Sequence, residues 1–310
     1  MNYFFDLHCD TPFELYKRKT PLASGGTHIT AEKLRCFEKY AQIMDIWSQN
    51  DLSGQECYDN FFRIYDNFMR ELAENPQFCF CRGSDDAEKA FSEGKRAIFL
   101  GIEGGKLLCD DLSRLDTLYN LGVRFFTLVW KGDCGIGGAH DTENGLTDFG
   151  RSVVLRLSEL GTAVDVSHAS DRMAEETIEL CKIGKIPAIA SHSSLRRITS
   201  QRRNLTDALA KKIAGAGGII GLCLADIFIS DERPAHITDA VRHILGYLDM
   251  GLEKSLCVGA DLDGSTPPEE IRGVCDMPRL YEAVLSAGVD EGTAEDIFFR
   301  NAERSICRYM

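Results

Sequence analysis

The sequence predicts an α/β fold of the TIM or (β/α)8 barrel class, on three observations. The chain has 310 residues, which matches one such barrel with modest insertions. Short apolar runs alternate with longer amphipathic segments, an order typical of a parallel sheet. No Gly-x-Gly-x-x-Gly motif follows the first run, which disfavours the alternative, an open doubly wound sheet. The eight predicted strands are Tyr3–His8, Tyr40–Trp47, Arg96–Ile102, Val123–Trp130, Thr162–Ser167, Ile186–Ser191, Gly217–Leu224 and Leu256–Gly259.

The segments between these runs carry apolar residues at a spacing near 3.6, which indicates helices that pack on the outside of a barrel. No linker, low-complexity stretch or internal repeat divides the chain, so we expect one catalytic domain over residues 1–310. The predicted helices are Glu56–Glu74, Ser113–Leu121, Arg151–Leu160, Asp171–Cys181, Thr206–Ala214 and Ile237–Leu248.

Charge and hydropathy narrow the class of partner. The net charge of −13 argues against nucleic acid or an anionic membrane, because phosphate groups are bound by basic surfaces. The first residues lack the basic and apolar regions of a signal peptide, and no apolar run approaches about 18 residues. We therefore expect a cytoplasmic protein.

Polar side chains fall where the predicted strands end, and in this fold class the chemistry lies at the carboxyl ends of the strands. His8 and Asp10 are two residues apart at the end of the first strand, so an extended backbone directs both to one face. Further along, strand ends carry Glu103, His168, His192 and Asp261 with Asp263.

Each of these residues also has a plain structural interpretation. His8 and Asp10 alone are typical of a polar turn in which Asp10 caps the following helix, and Glu103 alone is typical of a loop or capping carboxylate. A single histidine at a strand end is usually a hydrogen-bonded structural group. The repetition favours a site, because three of the seven histidines lie at strand ends.

Three histidines, Asp10 and Glu103 make five nitrogen and oxygen ligands, too many for one tetrahedral zinc but suited to two ions that share a carboxylate. Zinc is favoured over magnesium because imidazole is a poor magnesium ligand. Asp261 is then a candidate general base and acid. Asp263, directly before Gly264, is expected to form an Asx turn.

Seven blocks resemble the membrane (renal) dipeptidase family of zinc peptidases, family M19, in a microbial-type member. Their order and spacing together are specific and extend over nearly the whole chain. The blocks are Asp-Leu-His-Cys-Asp-Thr-Pro (6–12), Gly-Ile-Glu-Gly-Gly (101–105), Gly-Val-Arg-Phe-Phe-Thr-Leu (122–128), Val-Asp-Val-Ser-His-Ala-Ser (164–170), Ser-His-Ser-Ser (191–194), Arg-Arg-Asn (202–204) and Gly-Ala-Asp-Leu-Asp-Gly (259–264).

The resemblance implies an amidohydrolase-like barrel with two Zn²⁺ per subunit. It implies that His8, Asp10 and Glu103 hold one zinc, while Glu103, His168 and His192 hold the other. It further implies that Asp261 is the acid and base and that Arg203 pairs with the carboxylate of a dipeptide substrate.

One position departs from the family pattern. Trp130 stands where animal members carry a histidine that contacts the substrate, and an indole neither accepts a proton nor carries charge. His140, in the following glycine-rich loop, is a candidate replacement, although a solvent-exposed loop histidine is the other interpretation.

The sequence therefore predicts a zinc-dependent dipeptidase in which a hydroxide bridging the metals attacks the amide. The resemblance also implies tolerance of a D-residue at the carboxyl end of the substrate. Two alternatives remain open: another dinuclear zinc amidohydrolase, acting on N-acyl amino acids, lactones or lactams, and a non-catalytic metal-binding homologue. The oligomeric state is open as well, with a homodimer as one option.

Overall fold

A parallel sheet forms the centre of the computed structural model, which describes residues 1–184 and 186–309. The predicted domain of residues 1–310 also includes Lys185 and Met310, which lie outside the described residues. The strands are β1 (Tyr3–Asp6), β2 (Lys39–Trp47), β3 (Phe78–Phe80), β4 (Arg96–Glu103), β5 (Val123–Thr127), β6 (Ala163–Asp165), β7 (Ile220–Leu222) and β8 (Leu256–Val258).

Helices follow most of the strands and cover the sheet. They are α1 (Thr11–Arg18), α2 (Gly54–Glu74), α3 (Ser84–Ser92), α4 (Ser113–Asn120), α5 (Asp148–Leu160), α6 (Asp171–Gly184), α7 (Asp207–Gly215), α8 (Asp226–Ile229), α9 (Ile237–Leu248), α10 (Met277–Ser286), α11 (Glu291–Glu295) and α12 (Asn301–Tyr309). None of the helices in the described ranges is both long and apolar enough to cross a bilayer.

The sheet closes into the predicted barrel. Its strands pair in the order β6-β5-β4-β2-β1-β8-β7, and every pair is parallel. Two parallel bridges, Asp165 with Ile189 and Ala190 with Ile220, join the two ends of this order through the predicted sixth run. The barrel prediction is confirmed, and the alternative of an open sheet is wrong.

Several predicted strands extend further toward the carboxyl end of the barrel than the observed ones, whereas β4 runs one residue further than predicted, to Glu103. The fourth run was expected to reach Trp130, but β5 ends at Thr127, and the first run ends at Asp6 before His8. The sixth run forms bridges rather than a named strand. The difference has a physical reason, since the chain bends there to direct polar side chains into the barrel mouth instead of continuing the ladder.

Strand β3 was not predicted. It has three residues and pairs with the amino-terminal half of β4, outside the ring of the barrel. The short run Phe78–Phe80 gives too little alternation to distinguish a strand from a loop.

Side chains alternate between the two faces of each long strand, and this places the core. In β4, Ile98, Leu100 and Ile102 pack outward against the helices. Ala97 and Phe99 belong instead to a second cluster inside the barrel. The same alternation directs the later residues of that inner face, Gly101 and Glu103, toward the barrel mouth.

Candidate metal centre at the barrel mouth

Glu103 lies at the centre of the polar cluster in the barrel mouth. It is the last residue of β4, is buried, and follows Phe99 on the inner face of that strand. Its Oε1 lies 2.9 Å from His168 Nε2, 3.2 Å from His192 Nε2 and 3.6 Å from His8 Nε2. One carboxylate oxygen therefore faces three imidazole nitrogens, so the simple loop or capping interpretation of Glu103 is wrong.

Asp10 and Asp261 complete the cluster on the side of β1 and β8. His8 Nε2 is 3.5 Å from Asp10 Oδ2 and 3.7 Å from Asp261 Oδ1. Asp10 precedes α1 but makes no side-chain cap to it, and its Oδ1 has no hydrogen-bond partner among the described residues. A buried carboxylate oxygen without a partner is costly, so the capping interpretation fails.

The second nitrogens of His168 and His192 face the protein. His168 Nδ1 lies 3.0 Å from the carbonyl oxygen of Trp130, which can only accept, so Nδ1 carries the hydrogen. Ser191 Oγ donates to Asp165 Oδ2 at 2.5 Å and can accept from His192 Nδ1 at 2.7 Å. Both Nε2 atoms, 3.0 Å apart, thus direct lone pairs at the centre.

The outer nitrogen of His8 faces a carboxylate, at an ion-pair distance and without a hydrogen bond among the described residues. This Nδ1 lies 3.1 Å from Asp45 Oδ2, on the inner face of β2. Asp45 fits there because the neighbouring strand carries Gly101, at which a Cβ atom would overlap the Asp45 carboxylate. Gly264 has a matching place on the other side, since a Cβ there would overlap both Asp10 and Asp261.

Burial controls the ionisation of the cluster. It raises the pKa of Glu103 and of Asp10, and for Glu103 the charge of Asp10 raises the pKa further. Burial lowers the pKa of His168 and His192, which favours the neutral imidazoles that bind metals. Burial also lowers the pKa of His8, but the surrounding carboxylates outweigh it and hold that pKa well above its usual value.

The donor set fits metal ions. Two groups of three side chains bring their ligand atoms within 4.8 Å of one another: His8, Glu103 and His192 form the first, and His8, Asp10 and Asp261 the second. Imidazole nitrogens and carboxylate oxygens together suit zinc-like divalent ions. The second group also shows that Asp261, predicted as an acid and base only, lies where it could contact such an ion.

Comparison with known proteins identifies the family of this chain. Residues 2–308 match the membrane dipeptidase family, peptidase family M19. The chain belongs to the membrane dipeptidase family.

Proteins similar to this membrane dipeptidase family member include a curated sequence relative and solved structures. Dipeptidase 3 of Mus musculus is 31% identical over 227 residues, which cover 68% of this chain and 44% of that protein. The match thus spans less than half the length of that curated relative. A crystal structure of a dipeptidase, described as a metallopeptidase of family M19, superposes with a TM-score of 0.91 at 23% identity, covering 99% of this chain and 98% of that one.

A second solved structure carries a ligand. It is a metallopeptidase from Rhodobacter sphaeroides bound to a phosphinate mimic of the dipeptide L-Ala-D-Ala, with a TM-score of 0.90 and 22% identity over 99% of both chains. At this identity the likeness shows a shared fold.

Asp261 lies just beyond β8 in this member of the membrane dipeptidase family. It has a positive φ of 58° and is 8% exposed. Burial raises its pKa to about 6, although the charge of His8 acts in the opposite direction. Its Oδ2 accepts a weak hydrogen bond from the thiol of Cys223 at 3.8 Å.

A cavity of about 310 Å³ opens beside the cluster, and Asp10, Glu103, His168, Asp261 and Trp130 contribute to its lining. Trp130 therefore lies next to the candidate centre, with its ring centroid 6.0 Å from that of His168.

Arg203 and His140 lie further back, and within the described part of the chain neither is among the residues that line this cavity. Arg203 is buried and donates to Ser193 Oγ at 3.1 Å and to the carbonyl of His192 at 2.9 Å. Its Nε has no partner in the described ranges. Burial lowers the pKa of Arg203.

His140 is half-buried, so its interpretation as a solvent-exposed loop histidine is wrong. Its backbone N–H donates to the carbonyl oxygen of His168 at 2.7 Å, and the two imidazole rings are 5.8 Å apart. Burial lowers the pKa of His140 to about 4. The loop histidine therefore packs behind a cluster histidine as a neutral ring.

Sequence reasoning missed the buried carboxylates Asp6, Asp45 and Asp165. Asp6 Oδ1 accepts from the N–H of Ala260 at 2.8 Å and of His8 at 3.3 Å. Each of the three interrupts an otherwise apolar strand, and this was the signal that could have found them, because an isolated buried carboxylate needs a partner.

Asp263 differs from its prediction. Its Oδ2 accepts from Thr11 Oγ1 at 2.7 Å and its Oδ1 from the N–H of His28 at 2.6 Å. The expected local Asx turn is therefore replaced by contacts that tie the loop after β8 to two distant segments.

Proposed function

We propose that this chain is a dipeptidase that hydrolyses the amide bond of dipeptides at a centre of two Zn²⁺ ions held by His8, Asp10, Glu103, His168 and His192. The observation that carries the proposal is the convergence of three Nε2 atoms on Glu103 Oε1 at 2.9 to 3.6 Å in a chain of this family. In this assignment Glu103 would serve as a ligand of both ions, and residues 1–310 form one catalytic domain.

When bound, two zinc ions would lower the pKa of a water molecule and polarise the amide carbonyl. The residues of the chain supply the rest. Asp261 accepts a proton during attack and returns it to the departing amine. Asp45, Ser191 and the Trp130 carbonyl lie at the outer nitrogens of His8, His192 and His168, so that each Nε2 is directed at the centre of the cluster.

Arg203 is proposed to bind the carboxylate end of the dipeptide through its unpartnered Nε. This requires an approach past His192, whose carbonyl already holds one arm of the guanidinium group. Trp130 contacts the substrate from the cavity wall, and His140 acts behind His168 rather than on the substrate directly.

The dipeptide class has support from relatives. The Rhodobacter sphaeroides metallopeptidase of the same fold is bound to a mimic of L-Ala-D-Ala, and Dipeptidase 3 is a sequence relative. We extend this to the present chain by proposing that it accepts a D-residue at the carboxyl end. A cytoplasmic location and a homodimer stay predictions.

The decisive experiment combines metal analysis with a substrate panel. Zinc-loaded protein should contain two zinc ions per chain and hydrolyse L-Ala-L-Ala and L-Ala-D-Ala. Asp261→Asn is expected to keep the metal and to lose about 100-fold or more in kcat.

Two outcomes would contradict the proposal. Faster turnover of N-acyl amino acids, lactones or lactams than of any dipeptide would assign a different amidohydrolase activity. Equal and negligible rates for the wild type and Asp261→Asn, with two metals bound, would assign a non-catalytic metal-binding protein.

A further inference from the structure

The outer part of the cavity beside the candidate centre has an aromatic wall. Phe13 and Trp47 meet edge to face with ring centroids 5.2 Å apart. Trp47 meets Trp130 at 5.0 Å, and Trp130 lies 6.0 Å from the ring of His168. A continuous row of rings therefore runs from the cavity mouth to a proposed metal ligand.

A second part of the cavity lining is also apolar. Ala225, Ile227 and Phe228 form it from the segment that follows β7. Ile227 is 48% exposed, one of the few large apolar side chains so exposed among the described residues. An apolar side chain left in water at a cavity mouth gains from being covered by an apolar ligand group.

The charged side chains of the outer cavity already have partners within the protein. Glu14 pairs with Lys17 at 3.2 Å and with Arg18, and the Lys17 ammonium lies over the Phe13 ring, 5.5 Å from its centroid. Asp263 is held by Thr11. A charged ligand group would thus compete with existing pairs, whereas an apolar group would cover the apolar part of the lining.

We infer that this cavity takes a large apolar, preferably aromatic, side chain of the substrate, with Trp130 and Ile227 as specificity-determining residues. The inference rests on the proposed dipeptidase function, which it deepens by naming the substrate class. An indole wall favours edge-to-face contact with an aromatic ring and offers no charge to an acidic or basic side chain.

The first test compares matched dipeptides on zinc-loaded protein. Either Phe-Gly or Gly-Phe should exceed its Ala and Asp counterparts in kcat/KM by at least about tenfold, the effect of burying one aromatic side chain. Equal or higher rates for the alanine or aspartate dipeptides would overturn the inference while leaving the dipeptidase function intact.

Two isoleucines provide a matched pair of variants. Ile227→Ala should reduce the preference for the phenylalanine dipeptide several-fold, whereas Ile183→Ala should leave it unchanged, because Ile183 is 73% exposed and lies on α6 away from the cavity. Trp130→Phe should retain the preference and Trp130→Ala should lose it. Unchanged preference in both Ile227→Ala and Trp130→Ala would contradict the assignment.

A binding measurement keeps the inference separate from catalysis. Trp47 and Trp130 are the two tryptophans of the chain and both line the cavity, so tryptophan emission reports on it directly. Titration with phosphinate dipeptide mimics should change the emission, with at least about tenfold tighter binding for a benzyl than for a methyl side chain. If no dipeptide is hydrolysed, the proposed function fails, and this titration still decides the inference. Equal affinities would overturn it.

Discussion

The amino-terminal and carboxyl ends of the barrel are built from the same strands but bury opposite kinds of side chain. At the amino-terminal end Phe99 lies between Phe5 and Phe125, each with ring centroids 6.1 Å from it. Four residues later on the same face of β4, Glu103 is buried among histidines and carboxylates.

The comparison separates what stabilises the barrel from what is proposed to give it chemistry. Burial of the phenylalanine rings is favourable without any partner. Burial of Glu103, Asp10 and Asp261 is unfavourable unless a cation or hydrogen bonds compensate. We therefore expect changes at the carboxyl end to act on metal binding and rate, and changes at the amino-terminal end to act on stability.

The largest effect is expected from Glu103→Gln, which keeps the side-chain shape and removes the charge shared by three histidines. Metal affinity and kcat/KM for a dipeptide should fall by more than the roughly 100-fold that loss of an outer partner costs. The metal-free variant should unfold at the same temperature as the wild type or higher, because a neutral amide is less costly to bury there than a carboxylate. Zinc analysis, kinetics and thermal melts in chelator measure these effects. A variant with full metal content and full rate would contradict the assignment of metal binding to the carboxyl end of the barrel.

Phe99→Ala tests the other end. Loss of a fully buried phenylalanine should lower the free energy of unfolding by about 3–5 kcal/mol, measured by denaturant titration. The folded variant should still bind zinc with the wild-type affinity. A loss of metal without a loss of stability would show that the two ends are not separable.

Asp45→Asn probes the outer partner of His8. Asparagine keeps the size but not the charge at 3.1 Å from His8 Nδ1, so metal affinity should fall by about 10- to 100-fold. Competition with a chelator of known affinity measures the change. Wild-type affinity would mean that Asp45 has no part in orienting the imidazole.

The last prediction concerns the pH dependence of stability. In the metal-free protein burial raises the pKa of Asp6 to about 7, against hydrogen bonds from Ala260 and His8 that lower it. The folded chain then holds more protons than the unfolded chain between about pH 4 and 7, so this group makes the free energy of unfolding fall as pH rises through that range.

Asp6→Asn should remove this contribution. The difference between wild type and variant, measured by denaturant titration in chelator at several pH values, should therefore slope toward lower wild-type stability at higher pH. A flat or opposite slope would show that Asp6 keeps an ordinary pKa in the folded protein.

The barrel and the positions of the cluster residues could be predicted from the sequence, because both depend on local pattern. Parallel strands end at one mouth, so polar residues that follow apolar runs must meet there, and Glu103, His168 and His192 do. The sixth run is the least regular of the predicted strands, since its described residues pair with the neighbouring strands through two isolated bridges.

What the pattern could not supply was side-chain direction after the strands end. Arg203 follows His192 by eleven residues in the sequence, yet its guanidinium turns back to the carbonyl of His192. His140 sits in a loop rich in glycine, where exposure is the usual outcome, but its loop folds onto His168. Both placements depend on contacts between distant segments, which spacing along the chain does not encode.

Gly264 restricts which residues can occur together at three positions, namely 264 itself, Asp10 and Asp261. Since a Cβ atom there would overlap both Asp10 and Asp261, any other residue at 264 is compatible only with a barrel mouth in which one of those carboxylates has moved or been lost. Among chains of this fold, we therefore expect glycine at the equivalent position wherever both aspartates are present. Other residues are expected there in chains in which either aspartate is replaced. A single residue with no side chain would then mark which homologues retain this carboxylate pair.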